Sequence, residues 1–340
     1  RHVLFILPSI IIIATLGWYI INYFLSKWIH ISFKKIGVVV GFICLIEPVS
    51  FIVSTFPFTN TYYNFFVGGT AQAFGNYEMD SYGNSLKPVS DWFIKNVVPT
   101  LPKNKETVVA TNYPQILNIY LDPAKDSNLK NIRIVYVRPT EKNNAYWDYC
   151  IMHSVVNMPL DQLKYNAWVP QHYLYEAKVK GKTLCVLYKR PSFDDLKGFE
   201  YMNKNNGDSA LYYFTNYLKF EPKDITILNS ISNIYLSLNQ TSKADSFIQL
   251  TLSIDPGDYT ANYIIGLSRL RQNKFAEAIE NFKLIVAQSP YNFDASYYLG
   301  VCYYQTRDLR SAYESFSNVL GGQYQEASAK YLNEIEPQLP

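Results

Sequence analysis

The sequence predicts a membrane-anchored multidomain protein: two transmembrane helices, a small extracytoplasmic α/β domain and an all-α solenoid of short repeats. Three observations predict this order. Two long apolar runs lie in the first 55 of the 340 residues, strand-like and helix-like patterns alternate in the middle, and a 34-residue period runs through the C-terminal part. The expected boundaries are 1–55 for the transmembrane helices, 56–84 for an aromatic and glycine-rich junction, 85–190 for the α/β domain, 191–206 for a linker and 207–337 for the repeats.

The first apolar run, Val3 to Leu25, contains no charged residue over 23 positions. A helix of this length, with a rise of about 1.5 Å per residue, crosses the roughly 30 Å hydrocarbon core of a bilayer. The second run, Ile36 to Val53, has 18 residues and one charge. A secretory signal peptide is the alternative for the first run, but its length and the second run favour two spans. Because Arg1 replaces an initiator methionine directly before the first span, we expect the sequence to be part of a longer chain.

Basic residues predict the orientation of the two spans. The loop 26–35 contains three lysines, whereas no Lys or Arg occurs between residue 53 and Lys87. Cytoplasmic loops are enriched in Lys and Arg, so the loop is expected in the cytoplasm and everything after residue 55 outside it. The net charge of +3 is spread along the chain, which indicates no nucleic-acid surface.

The four cysteines and four histidines are widely separated and include no CxxC pair. The sequence therefore predicts no zinc site of cysteines and histidines and no nucleophilic triad. Cys150 and Cys185 either pair as a disulfide or remain small buried thiols.

The middle region reads as an α/β domain. A helix is expected from Ser85 to Asn96 and another near 115–121, with strands at 107–111, 132–137 and 146–154. Residues 172–190 read as a hairpin that turns at Lys180-Gly181. No glycine-rich phosphate loop follows the first strand, so nucleotide binding is not expected.

Four sets of residues recur every 34 positions in the C-terminal part. Small residues let paired helices approach, a larger apolar residue fills the seam, and proline ends each second helix because it lacks a backbone donor. The sets are Ser232, Gly266 and Gly300; Ala210, Ala244, Ala278 and Ala312; Phe214, Ile248, Phe282 and Phe316; and Pro222, Pro256 and Pro290. The pattern resembles the tetratricopeptide repeat. We expect three full repeats, a preceding half repeat over 207–221 and a capping segment over 323–336.

The resemblance to tetratricopeptide repeats implies a concave groove, lined by the first helix of each pair, that binds an extended or helical peptide of a partner protein. The alternative is that the array only packs against a neighbouring domain or subunit. By register, the groove residues are Asn229, Asn233, Tyr263, Arg271, Tyr297 and Tyr304.

The stretch that follows the second span carries a second resemblance. It contains FPFTNTYYN at 56–64, the pair Gly68-Gly69, and FGNYEMDSYGNS at 74–85. This resembles the segment after the last membrane helix of bacterial GT-C-type glycosyltransferases, relatives of the dolichyl-phosphate-mannose protein mannosyltransferases. The resemblance implies transfer of a sugar from a polyprenyl-phosphate donor. In that family the acidic residue that acts as the base lies in the first external loop, so the catalytic residues are unknown here and expected outside this sequence.

Five residues are candidates for peripheral parts of such a site. Arg1 and His2 suit a lipid phosphate at the outer mouth of the first span, or serve only as interface anchors. Glu47 is costly if it faces lipid and is expected to pair with a cation of another helix rather than to catalyse. Glu78 and Asp80 either bind sugar hydroxyls or a divalent cation, or form a turn. The alternative to the enzyme is a non-enzymatic, membrane-anchored scaffold whose repeats recruit partners.

Overall fold

The computed structural model describes residues 15–21, 23–24, 33–154, 158, 160–165 and 167–339. The chain divides into two compact units, Arg1–Thr70 and Ala71–Pro340. The first unit holds the apolar helices and the junction that follows them. The second holds the α/β domain and the repeats.

The main element of the first unit is helix α1, Phe33–Thr55. Within it, Gly37–Thr55 is long and apolar enough to cross a membrane by length and composition, with a mean hydropathy of 2.2 and 6% of its residues buried. It is the one such helix in the described part of the chain. The predicted span from Val3 to Leu25 lies largely outside the described residues, of which 15–21 and 23–24 are helical. Two spans are therefore not shown. Arg1 and His2 also lie outside the described residues.

Glu47 of α1 has a partner within the first unit. Its carboxylate lies near the Tyr62 hydroxyl, and the Tyr62 ring packs 5.2 Å from that of Phe51. The predicted pairing of Glu47 is with a cation of a helix missing from this sequence, so it stays a prediction. Among the described residues, a phenol supplies the polar contact.

Short turns build the rest of the first unit. Two 3₁₀ turns, Thr59–Thr61 and Phe65–Val67, follow α1, and the Asn64 side chain accepts the Phe66 N–H at 3.1 Å. Phe65 and Phe66 are 78% and 94% exposed. Residues of this junction thus present aromatic rings to the surroundings directly after the apolar helix.

A five-stranded mixed sheet forms the core of the α/β domain, in the order β2-β1-β3-β5-β4. Strand β1 is parallel to β2 and β3, and β5 is antiparallel to β3 and β4. The strands are β1 Thr107–Thr111, β2 Ile132–Tyr136, β3 Tyr149–His153, β4 Tyr175–Val179 and β5 Lys182–Lys189. The helices before the repeats are α2 Gly69–Ala73, α3 Leu86–Asn96, α4 Pro114–Tyr120 and α5 Leu160–Lys164.

Local sequence explains these elements. Strands β1 and β3 are buried along their whole length, as expected of apolar strands in the middle of a sheet. Lys180 and Gly181 have φ of 48° and 77°, the left-handed pair that a two-residue hairpin loop requires. Pro114 begins α4 in the first turn, where its missing N–H costs nothing. The predicted strands, helices and hairpin of this region are all present.

Cys150 and Cys185 are free, buried thiols. The disulfide left open by the sequence does not form. Burial raises the pKa of Cys150 to about 11 and that of Cys185 well above its usual value, so both stay protonated at neutral pH.

The C-terminal part is an array of antiparallel helix pairs. The first helices of the pairs are α6 Asp194–Asn203, α8 Ile225–Ser237, α10 Tyr259–Arg271 and α12 Phe293–Gln305. The second helices are α7 Gly207–Leu218, α9 Thr241–Ile254, α11 Phe275–Gln288 and α13 Leu309–Ser317. Helix α14, Gln325–Ile335, caps the array.

The predicted linker 191–206 is wrong. It contains helix α6, which packs on α7 through Phe199, Tyr201 and Met202. Its polar start resembles a linker in sequence, but Gly198 lies 34 residues before Ser232 and extends that series by one period. The array therefore has four helix pairs rather than three and a half.

The turns within the four pairs share one backbone conformation. Asn205, Asn239, Asn273 and Arg307 have φ between 55° and 65°, in the left-handed region. They are again 34 residues apart. Asn tolerates this region better than most residues because its short polar side chain bonds locally, and Arg307 is the departure.

Each pair closes on a contact between one small and one large residue. A Cβ added to Gly198 would lie 2.4 Å from the Phe214 ring; at Gly300 the distance to Phe316 would be 2.7 Å. At Gly266 it would be 2.9 Å from Phe282. In the second pair the equivalent positions hold Ser232 and Ile248, so a larger first residue accompanies a smaller second one. The two positions thus share one volume.

Exchanging Gly266 for Ser should therefore destabilise the array. The added atoms meet the buried Phe282 ring, and overpacking of this kind costs about 1–3 kcal/mol. Adding Phe282→Ile recreates the natural Ser–Ile pair and should recover part of that loss. The free energy of unfolding from urea denaturation, followed by circular dichroism, measures both. Losses in the double variant that equal the sum of the two single losses would contradict the shared volume.

Candidate functional site

Polar N-caps recur along one edge of the array. The first helices α8, α10 and α12 begin after Asp224, Asp258 and Asn292, each of which accepts backbone N–H bonds of the first turn. Asp258 Oδ1, for example, accepts the Ala261 N–H at 2.7 Å. The period therefore places a carboxylate or amide at the same point of three successive repeats.

The α/β domain occupies the first of these caps. Asn143 Nδ2 donates to Asp224 Oδ2 at 3.0 Å, and Lys142 Nζ lies 3.5 Å from the same oxygen. Asn143 and Asp224 are both buried. A cation and an amide of the α/β domain thus neutralise and satisfy this carboxylate.

A second buried contact fixes the α/β domain to the first repeat. Arg190, at the end of β5, pairs with Asp195 of α6 at 2.5 Å, and its guanidinium lies 4.5 Å from the centre of the Trp147 ring. Arg190 also donates to the Ala145 carbonyl at 2.6 Å. Burial raises the pKa of Asp195, and the charge of Arg190 opposes this only in part. The α/β domain and the first two repeats therefore pack as one body.

Beside this junction lies a cavity of about 330 Å³ on the first helices. Three predicted groove residues line it: Asn229, Asn233 and Tyr263. Thr140 of the α/β domain and Asp258 also line it. The cavity therefore lies on the first helices next to Thr140 of the α/β domain.

Asn229 and Asp258 form the polar wall of the cavity. Asn229 Nδ2 donates to Asp258 Oδ1 at 2.8 Å. Asn229 is 6% exposed, and its Oδ1 atom has no hydrogen-bond partner within the described residues. Burial raises the pKa of Asp258 against the bonds from Ala261 and Asn229, and no cation contributes. The buried Asn229 Oδ1 atom, without a donor, thus lies beside the Asp258 carboxylate, which has no cationic partner among the described residues.

The structure does not bring the other three predicted groove residues into this cavity. Arg271 donates to the Leu236 carbonyl in the preceding repeat. The ring of Tyr297 stacks on Tyr324 with centroids 4.3 Å apart. Tyr304 donates to Glu334 of the capping helix α14. These side chains hold the array together, and their role in a groove stays a prediction.

Sequence reasoning did not single out Asp258. A signal was present, because Asp224, Asp258 and Asn292 each follow a repeat proline by two residues. Thr140 and Lys142 left no such signal, since they belong to a loop of the α/β domain.

The other predicted loop candidates lie apart from this cavity. Asp80 is 1% exposed and pairs with the buried His153 at 3.0 Å between Oδ2 and Nε2. Its carboxylate also accepts the N–H groups of Asn84 and Ser85, each at 2.9 Å. Asp80 therefore has almost no surface from which to contact a sugar, whereas Glu78 is exposed.

His153 in turn is fixed at the ends of the parallel strands β1 and β3. Its backbone N–H donates to Asn112 Oδ1 at 2.8 Å, and Asn112 Nδ2 donates to the His153 carbonyl at 2.7 Å. Together with Asp80 these groups join the loop before α3 to the sheet. In the described part of the chain, no group of three or more His, Cys, Asp or Glu could hold a metal ion.

Removing the Asp80 charge should destabilise the α/β domain. Burial raises the pKa of Asp80, but the hydrogen bond and charge of His153 with the Ser85 contacts outweigh it, so the net pKa is lowered. Its contribution is therefore present above the unfolded pKa of about 3.9 and is lost as the pH falls through the folded pKa. Asp80→Asn should lower the free energy of unfolding by about 3 kcal/mol at pH 7. The difference in free energy of unfolding between the two proteins should narrow below about pH 4.

Urea denaturation followed by tryptophan fluorescence across pH 2–7, a range chosen around the carboxyl pKa of about 3.9, measures this difference. Glu78→Gln is the matched control because it removes an exposed carboxylate of the same loop. A difference that is equal at pH 7 and at the acid end would show that Asp80 acts through packing and not through its charge.

Comparisons with known proteins find the repeats. A family model described as tetratricopeptide repeat matches residues 269–332. MamA 41-end from Desulfovibrio magneticus RS-1 is 17% identical, over 41% of this chain and 89% of that one, with a TM-score of 0.36. A tetratricopeptide repeat protein from Parabacteroides merdae is 15% identical, over 42% and 58%, with a TM-score of 0.38.

The first tetratricopeptide repeat domain of Spaghetti (RPAP3), solved with the HSP90 peptide SRMEEVD, is 21% identical, over 33% of this chain and 90% of that one, with a TM-score of 0.32. No curated protein matches this chain. The family match over residues 269–332, with the helix pairs above, supports a tetratricopeptide-repeat module of the protein-interaction type in the C-terminal region. It does not extend to residues 56–85, so the resemblance to membrane glycosyltransferases stays a prediction.

Proposed function

We propose that this protein is a scaffold whose tetratricopeptide repeats capture a peptide segment of a partner protein. The observation that carries the proposal is the cavity where Asn229, Asn233 and Tyr263 meet on the first helices. These positions were predicted from repeat register alone. Their convergence on one concavity supports a groove that is open to a ligand.

The chemistry of the cavity suits a polypeptide. An amide side chain both donates and accepts, as does each peptide unit of an extended chain. Asn233 is exposed in the groove, and Tyr263 is half-buried and offers a ring face with a hydroxyl. A volume of about 330 Å³ is enough for a few side chains, at the lower end of ordinary ligand pockets.

A photo-crosslinking residue in place of Asn233 should form an adduct with the bound partner, whereas one in place of Gln249 should not. Gln249 is exposed on the second helix α9 and so is the matched control. Asn233→Ala should also reduce the amount of that partner recovered with the protein several-fold, while helicity by circular dichroism is unchanged. Equal crosslinking from both positions would contradict the groove.

We also propose that α1 crosses a membrane and that residues after 55 lie outside the cytoplasm, in a bacterial inner membrane. Its length, its hydropathy and the exposed Phe65 and Phe66 after it support this placement. Membrane lipid is then a direct partner of the first unit.

The single cysteine of α1 tests this placement. Cys44 is exposed, whereas Cys150, Cys185 and Cys302 are buried. A membrane-impermeant maleimide should therefore leave intact cells unlabelled and label Cys44 after detergent is added. The variant Gln249→Cys, exposed on the repeats, should be labelled from outside without detergent. Labelling of Cys44 in intact cells would exclude a membrane-embedded α1.

Transfer of a polyprenyl-phosphate-linked sugar is the second candidate function. It rests on the resemblance of residues 56–85. Asp80 and Gly83 have φ of 52° and 66°, and the Asp80 carboxylate accepts the Ser85 N–H, so these residues build one turn. Transfer of a labelled sugar from a polyprenyl-phosphate donor by membranes that contain the product of the full reading frame is the direct measurement. If that product transfers no sugar, the scaffold is the function that stands.

A further inference from the structure

We infer that the groove selects a cationic side chain, so that a lysine or arginine of the captured peptide pairs with Asp258. The inference rests on the proposed peptide capture and adds the charge of the ligand. Three observations carry it: an internal template one repeat earlier, an uncompensated carboxylate, and a cavity beside that carboxylate.

The template is the contact at Asp224. This residue caps α8, and the chain itself supplies its ligand: the ammonium of Lys142 at 3.5 Å and the amide of Asn143 at 3.0 Å. Asp258 is the equivalent residue of the next repeat, 34 positions later, and caps α10 in the same manner. Of the two equivalent carboxylates, Asp224 thus already binds Lys142 and Asn143 of the same chain.

Asp258, the equivalent carboxylate, has no cationic partner among the described residues. Oδ1 accepts from Ala261 and from Asn229, both neutral donors. No Lys, Arg or His among the described residues lies within ion-pair distance of it or opposes the effect of burial. A half-buried carboxylate of this kind gains from an incoming cation, because the cost of removing its water is already met in the free protein.

The cavity gives that cation a place. Asp258 is the one charged residue among those that line it, and the neutral polar residues Asn229 and Asn233 lie beside it. Asn229 is more than nine-tenths buried, and its Oδ1 has no partner within the described residues, so a ligand N–H that reached it would satisfy it. Thr140 belongs to the same loop as Lys142, so the cavity continues the path of the internally bound segment. An acidic ligand would instead face a carboxylate with no countercharge.

The probe for the test is a capped, fluorescent heptapeptide that copies residues 139–145, PTEKNNA, the loop bound at Asp224. A second peptide carries norleucine in place of its lysine. At low ionic strength the full-length protein should bind the lysine peptide about three- to tenfold more tightly, the range for one partly buried ion pair. The preference should shrink with added salt.

Asp258→Asn should bind the two peptides equally. Asparagine keeps the N-cap bond to Ala261, so the variant removes the charge and leaves α10 intact. Asp308→Asn is the matched control, because Asp308 caps α13 in the same way and does not line the cavity. It should keep the preference of the unaltered protein, and circular dichroism should show equal helicity for both variants.

The outcomes separate the two proposals. Equal binding of both peptides by the unaltered protein overturns the charge selection and leaves peptide capture standing. A lysine preference that survives in Asp258→Asn also overturns it. Binding of neither peptide, together with no adduct from position 233, overturns both the selection and the proposed function.

Discussion

The close approach of paired helices at one small residue per repeat is the constraint on which the rest of this protein depends. Phe214, Phe282 and Phe316 lie so near their glycine partners that no Cβ fits between them, and each ring is almost fully buried. Burying such a side chain contributes about 1.5–3 kcal/mol. The contact also sets how each first helix lies on its second. Because the spacing is constant, it brings the N-caps Asp224 and Asp258 to equivalent points, and the groove follows from that.

The α/β domain lies at one end of the proposed groove, where Thr140 lines the cavity. Buried ion pairs stabilise only when their remaining polar groups are satisfied, and the Arg190–Asp195 pair meets that condition through the Ala145 carbonyl and the Trp147 ring. Lys142 of the same domain pairs with Asp224, the N-cap carboxylate of α8. The equivalent carboxylate of the next repeat, Asp258, has no cationic partner among the described residues. The domain therefore fixes the position of the first repeats and neutralises Asp224.

The sequence predicted most of the local structure and part of the site. Short-range patterns predicted the strands, the Lys180-Gly181 hairpin turn and the helix pairs. The linker failed because Asp194 and Asp195, which open α6, have the composition of a solvated segment, and one of them is buried against Arg190. Of the predicted groove residues, Asn229, Asn233 and Tyr263 line one cavity. The groove prediction could not show that α14 and its neighbours cover Tyr297 and Tyr304, since register gives the face of a helix and not what packs on it.

The sequence by itself thus determined which helices pair, where they turn and which residues repeat, because these depend on contacts within one 34-residue unit. Only the tertiary structure decided which repeated residues remain open. Asn143 reaches Asp224 across 81 residues, and Asp80 reaches His153 across 73. Contacts over such separations leave no periodic trace, since their two ends belong to different elements with different patterns. For that reason the period predicted a groove, and the fold alone revealed that the N-cap carboxylate of Asp224 has a cationic partner, whereas that of Asp258 has none among the described residues.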